Sequence, residues 1–130
     1  MMWPKLVLAD DDAPLVRELA EFLMDVGYEV AGIASDGREC IELVERTNPD
    51  LVLMDVRMKP MSGTEAAGIL RTQRPGLPVV LLSAYGDDSI VKAAREVEVV
   101  AYLVKGCSAS ELLETVSTAV SEARRRGCSE

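Results

Sequence analysis

The feature that most narrows the fold is a recurrence of short apolar runs rich in β-branched residues, at positions 6–9, 30–34, 51–54, 79–82 and 99–104. Apolar runs of this length without polar alternation mark strands buried on both faces. The stretches between them are long enough for helices and carry helical spacing. Leu15, Leu19, Phe22, Leu23 and Val26 form one stripe, and Ile41, Leu43 and Val44 form part of another. Pro14 suits a first helical turn. Ser62 with Glu65 and Ser108 with Glu111 have capping-box spacing. The second pair opens a long amphipathic helix through Leu112, Leu113, Val116 and Val120 that closes on Arg124, Arg125 and Arg126. Buried strands alternating with helices require a parallel sheet with right-handed crossovers, so an open doubly wound α/β domain is predicted. With 130 residues, 48% of them hydrophobic, and no repeat, low-complexity tract or linker, residues 1–130 are expected to form one domain with its core over about 5–126.

Charge and residue usage exclude several functions. The chain has 22 Asp and Glu against 14 Lys and Arg, a formal net charge of -8, so its surface should repel phosphate backbones. Direct nucleic-acid binding by this segment is therefore not expected. No apolar run approaches the ~20 residues of a membrane span, and residues 1–9 are too short for a signal peptide, so a cytoplasmic location without membrane contact is expected. Cys40, Cys107 and Cys128 are odd in number and lack metal-ligand pairing, and are expected to be reduced thiols. The chain has no histidine, which removes serine-type triads and a phosphohistidine on this chain.

Open parallel sheets bind ligands beyond the carboxyl ends of their strands. There the first run is followed by Asp10, Asp11 and Asp12, the third by Asp55, the fourth by Ser83 and the fifth by Lys105. Any one of these can be an ordinary loop residue, and Asp12 before Pro14 can be a helix N-cap. Together they ask for a common reason, since Asp and Lys are poor strand residues and costly to bury singly. Converging carboxylates repel one another, and an all-oxygen cluster suits a hard divalent cation such as Mg2+. Asp55 could ligate through one oxygen and attack phosphorus with the other, forming an aspartyl-phosphate, while Lys105 and Ser83 balance the phosphoryl oxygens.

These residues resemble the receiver domains of two-component response regulators over essentially the whole chain. The resemblance rests on Asp10-Asp11-Asp12, on Asp55 at the end of the third run with Met58, Met61, Ser62 and Gly63 after it, on Leu82-Ser83-Ala84, and on Tyr102 through Lys105. It implies a flavodoxin-like five-stranded sheet of order 2-1-3-4-5, and phosphorylation of Asp55 by a sensor histidine kinase or phosphotransfer protein. It implies Mg2+ ligation by Asp10, Asp11, Asp55 and the backbone carbonyl of Arg57, with Asp12 as the alternative acid because Arg17 fits the family count from Asp12. Ser83 and Tyr102 resemble the family's switch pair, and Lys105 its phosphate-contacting lysine. Such a domain is mainly a signalling switch that catalyses its own phosphorylation and dephosphorylation, acting on an output domain or effector protein, for example in transcription. No output domain is expected within this chain. By the same resemblance a helix at about 88–96, the fifth strand and the final helix form the partner face, including a homodimer face.

The sequence departs from the family at three places that predict local differences. Pro60 stands one place late in the loop after Asp55, Glu98 stands where a helix-ending glycine is common, and Gly106 replaces the frequent proline after Lys105, so no cis peptide bond is expected there. The methionines Met54, Met58 and Met61 are read as packing residues. Two rival functions lack their defining residues. A metal-dependent phosphatase with an aspartyl nucleophile needs a second Asp two positions on, where this chain has Arg57. A flavin- or dinucleotide-binding module needs a glycine-rich turn after the first strand, where three acids would repel a pyrophosphate.

Overall fold

Each of the five apolar runs becomes a strand in the computed structural model, which describes residues 3–84, 92 and 95–128. The elements are β1 (Lys5–Ala9), α1 (Ala13–Asp25), β2 (Glu29–Ala34), α2 (Gly37–Thr47), β3 (Leu51–Asp55), α3 (Gly63–Gln73), β4 (Val79–Ser83), β5 (Ala101–Val104) and α4 (Ala109–Cys128). All pairings are parallel, in the order β2-β1-β3-β4-β5, as the resemblance implied. Of the helix expected at about 88–96, only Lys92, Arg95 and Glu96 are described, and those are helical. The remainder, with Ile90 and Val91, lies outside the described residues.

Period-two alternation sorts the strand residues onto two faces. Leu6, Leu8, Leu51, Leu53, Val80, Leu82 and Leu103 pack with Val16, Ala20 and Leu23 of α1 and Leu112, Val116 and Val120 of α4. Val7, Ala9, Val52, Met54, Val79 and Leu81 pack on the opposite side with Val44 of α2 and Ala66, Ala67 and Leu70 of α3. Both sides are apolar because both are covered, which is why the strands read as unbroken hydrophobic runs.

Local signals fix the helix ends. Asp12 caps α1 by accepting the Leu15 N–H, Asp36 caps α2 by accepting from Arg38 and Glu39, and the Ser62–Glu65 capping box at α3 is complete. At α4 the Glu111 N–H donates to Ser108 Oγ. The fifth run yields a shorter strand than its sequence suggests. The chain turns at Val97 and Glu98, and although the Val100 N–H already donates to the Val79 carbonyl, the ladder begins at Ala101. Glu98 has φ 55, the left-handed conformation that favours glycine, and its carboxylate pairs with Arg71 of α3. The Lys59–Pro60 peptide bond is cis, and it is the one cis bond among the described residues.

Gly63 stands where α3 meets the end of β3. A Cβ there would run into the Asp55 carbonyl oxygen, while the Gly63 N–H donates to the Val56 carbonyl at 2.9 Å. Main chain on main chain leaves nothing flexible to yield, so Gly63→Ala should lose roughly 1–3 kcal/mol or more in denaturant unfolding. Gly76→Ala, with nothing within 4 Å of its Cβ, should change by no more than ~0.5 kcal/mol. Equal midpoints for the two variants would refute the contact.

Cys40 and Cys107 are free thiols. Cys40 lies on the buried face of α2, and burial, aided by the charges of Asp36 and Glu39, pushes its pKa to about 12. Iodoacetamide at pH 8 should therefore leave Cys40 unlabelled until denaturant is added. Mass mapping that finds Cys40 alkylated in the native protein would contradict this packing.

Candidate functional site

The carboxyl ends of β1, β3, β4 and β5 deliver the chemistry to one edge. Asp55 is the last residue of β3 and Ser83 the last of β4, whereas Asp10 and Lys105 each follow their strand directly. The alternation of the sheet explains the grouping. Asp10 continues the stripe of Leu6 and Leu8, Asp55 that of Leu51 and Leu53, and Lys105 that of Leu103, all on the face covered by α1 and α4.

The three side chains meet. Lys105 Nζ lies 2.8 Å from Asp10 Oδ2 and 3.3 Å from Asp55 Oδ2, and both aspartates are buried. Asp55 Oδ1 accepts a long hydrogen bond of 3.5 Å from the Arg57 N–H, and Asp10 Oδ1 accepts one of 3.0 Å from the Asp12 N–H. The Asp10 main chain is itself held by its N–H donating to the Ala34 carbonyl of β2. One carboxylate oxygen from each of Asp10, Asp11 and Asp55 lies within 4.8 Å of the other two, with Asp11 on the exposed side. Asp12 is not in this group; its exposed carboxylate caps α1.

Electrostatics follow from this geometry. Burial lifts the Asp55 carboxyl above the ordinary aspartate range and the charge of Asp10 adds to the lift, while Lys105 and the Arg57 N–H oppose it. For Lys105, burial disfavours the ammonium. The hydrogen bond it donates to Asp10 and the charges of Asp55 and Asp10 outweigh that, so its pKa is raised. Lys105 sets one ammonium against three clustered carboxylates. The donor set, all oxygen and open at Asp11, fits a hard divalent cation.

Ser83 is buried and pairs in register with Val104, and its carbonyl accepts the Lys105 N–H at 2.6 Å. Tyr102 pairs with Leu81 and packs half-buried on the face covered by α2 and α3. The proposed switch pair thus falls on the opposite side of the sheet alternation from Asp10, Asp55 and Lys105. Arg57 and Lys59 lie exposed on the loop beside Asp55. The alternation that assigns each strand end to a face was available in the sequence and is a signal that reading motifs alone passed over. A cleft of about 380 Å3 between Asn48, Asp50, Arg74 and Arg124 lines none of these strand-end residues.

Comparison with known proteins gives the same picture. A family model described as the response regulator receiver domain matches residues 6–117. The transcriptional regulatory protein PdtaR of Mycobacterium tuberculosis H37Rv is 41% identical over 120 residues, covering 92% of this chain and 58% of that protein. The chemotaxis protein CheY of Thermotoga maritima is 33% identical over 114 residues, 87% of this chain and 95% of that one. Among solved structures, a CheY-like response regulator receiver domain protein from Methanospirillum hungatei has a TM-score of 0.89 at 23% identity, covering 96% of this chain and 99% of that chain, a likeness of fold. The receiver domain of the response regulator NarL from Mycobacterium tuberculosis, described as putative, has a TM-score of 0.84 at 28% identity, covering 93% and 98%. The chain spans little more than half the length of PdtaR. The family match runs from within the first strand, through the acidic edge and past Lys105, and so takes in fold and site together: this chain belongs to the response regulator receiver domains.

Proposed function

We propose that the chain takes a phosphoryl group onto Asp55 from a phosphohistidine on a sensor kinase or phosphotransfer protein, in a Mg2+-dependent reaction. The observation that carries this reading is the buried meeting of Asp55 with Asp10 and Lys105, beside exposed Asp11. Mg2+ would be held by Asp10, Asp11, Asp55 and the Arg57 carbonyl, and when bound it supplies positive charge that lets an anionic phosphoryl group approach an acidic edge.

An Asp55 carboxylate oxygen forms the new bond to phosphorus as the nitrogen–phosphorus bond of the donor breaks, leaving the electron pair on the donor's imidazole. Lys105, already between Asp10 and Asp55, turns its ammonium to the incoming oxygens, and the Ser83 hydroxyl donates to them. Drawing Ser83 toward the phosphate opens space for Tyr102 to move inward. That motion would alter a face made by the segment at about 88–96, β5 and α4, which acts on an output domain, an effector or a second copy of the chain. Arg57 stands where the rival phosphatase would need its general acid, and no feature of the site favours that rival. Among the described residues no helix is long and apolar enough to cross a membrane.

With acetyl phosphate and Mg2+, the intact protein should gain about 80 Da, the mass of one phosphoryl group. The gain should vanish in Asp55→Asn and on adding EDTA. Labelling that persists in Asp55→Asn would remove Asp55 as acceptor.

Lys105→Ala should bind Mg2+ at least as tightly as the parent, because the lost ammonium competes with a cation for Asp10 and Asp55. It should still fail to show the phosphorylation-dependent change, read as backbone NMR shifts on adding beryllofluoride. Loss of Mg2+ binding in the folded variant would mean that Lys105 organises the acids and does not serve the phosphate.

A further inference from the structure

The loop from β3 to α3 carries both the Arg57 carbonyl and the main chain next to Asp55, and main-chain hydrogen bonds grip it at two points, with buried Met58 between them. At its neck the Gly63 N–H donates to the Val56 carbonyl, and the Val56 N–H donates to the Leu82 carbonyl of β4, both at 2.9 Å. At its far end the Gly37 N–H, from the first turn of α2, donates to the Met61 carbonyl at 2.9 Å. Gly37 is buried there with no space for a side chain. A Cβ would lie 2.7 Å from the Ser62 carbonyl oxygen and 2.9 Å from both Ala66 Cβ and Met61 Cγ. Nor can Gly37 retreat, since the buried Asp36 carboxylate accepts the Glu39 and Arg38 N–H groups at 3.1 and 3.3 Å and pins the start of the helix.

We infer that Gly37 is a positioning residue for the divalent-ion site, setting the course of the loop that presents the Arg57 carbonyl. The inference rests on the ion-site reading above. With the neck fixed on β4, a push on Met61 and Ser62 cannot be absorbed at Val56. It is taken up within residues 57–61, where the ligand carbonyl lies. Linkage makes the effect reciprocal: if the Gly37–Met61 hydrogen bond favours ion binding, ion binding must strengthen that hydrogen bond.

Two measurements test this with Mg2+ alone as the probe. In titration calorimetry Gly37→Ala should bind Mg2+ about tenfold more weakly than the parent, the scale on which residues supporting a ligand act, at a temperature where metal-free melting shows both folded. Gly76→Ala should bind like the parent. In the unsubstituted protein, Mg2+ should slow hydrogen exchange at the Gly37 amide by about fivefold or more beyond any slowing at Val116 of α4, which reports global opening. A folded Gly37→Ala with parental affinity overturns the inference, and if that variant does not fold, Gly37 exchange that merely follows Val116 overturns it equally. Failure of the unsubstituted protein to bind Mg2+ would instead overturn the ion-site reading itself, a result seen before any substitution.

Discussion

The arrangement of the whole edge depends on one interaction, the ammonium of Lys105 shared between the buried carboxylates of Asp10 and Asp55. Two buried acids on adjacent strands repel at a range where the protein interior screens poorly. The strand order makes this unavoidable, because β1 and β3 are neighbours at the centre of the sheet. Lysine serves because β5 is two strands from β3, and a long flexible stem from the sheet edge can span β4. The bond from the Lys105 N–H to the Ser83 carbonyl sets where that stem begins. Several independent requirements converge on the site: strand order, residue parity and the reach of one side chain.

Lys105 offsets the cost of burying Asp55 only in part. Burial and Asp10 keep the Asp55 carboxyl above its ordinary range despite Lys105. Replacing the acids by apolar residues would relieve that cost, as replacing buried ion pairs often does, but it would remove the proposed cation ligands and the proposed nucleophile together. Elsewhere local rules agree with the fold, with capped helices and apolar strands covered on both faces. The disagreements gather at the strand ends, where function is expected to override stability.

Much of this was legible in the chain because the strands are buried on both faces and therefore announce themselves. The order of the apolar runs, the caps at Asp12 and Ser62, and Asp55 at the end of the third run needed only local reading. Geometry was needed to separate Asp11 from Asp12: both are acids after β1, but one faces the cluster while the other caps α1. Val99 and Val100 look like strand, whereas the left-handed turn at Glu98 delays the ladder to Ala101. Gly37 was invisible as a participant, since nothing local in Asp36-Gly37-Arg38 says that its missing Cβ makes room for Ser62 and Met61. Contacts between distant segments are where single-sequence reasoning ends.

The division of the strand ends between two faces bears on how a phosphate could be sensed at a distance. Asp10, Asp55 and Lys105 continue the face under α1 and α4, while Tyr102 packs toward α2 and α3. A signal passing from acceptor to aromatic must therefore cross the sheet. A densely packed sheet does not deform continuously, so the crossing is easiest where a strand ends and its neighbour is held by few bonds. The ends of β4 and β5 meet that condition. Ser83 lies at the last position of β4, its carbonyl receives the Lys105 N–H, and β5 has only four residues and one neighbouring strand. A pull on Lys105 or Ser83 acts on the same main-chain junction, and Tyr102 is carried on the strand leaving it. The proposed pair of Ser83 and Tyr102 thus has a mechanical basis in this fold: the acceptor site and the aromatic face opposite sides of the sheet, and the β4–β5 junction links them.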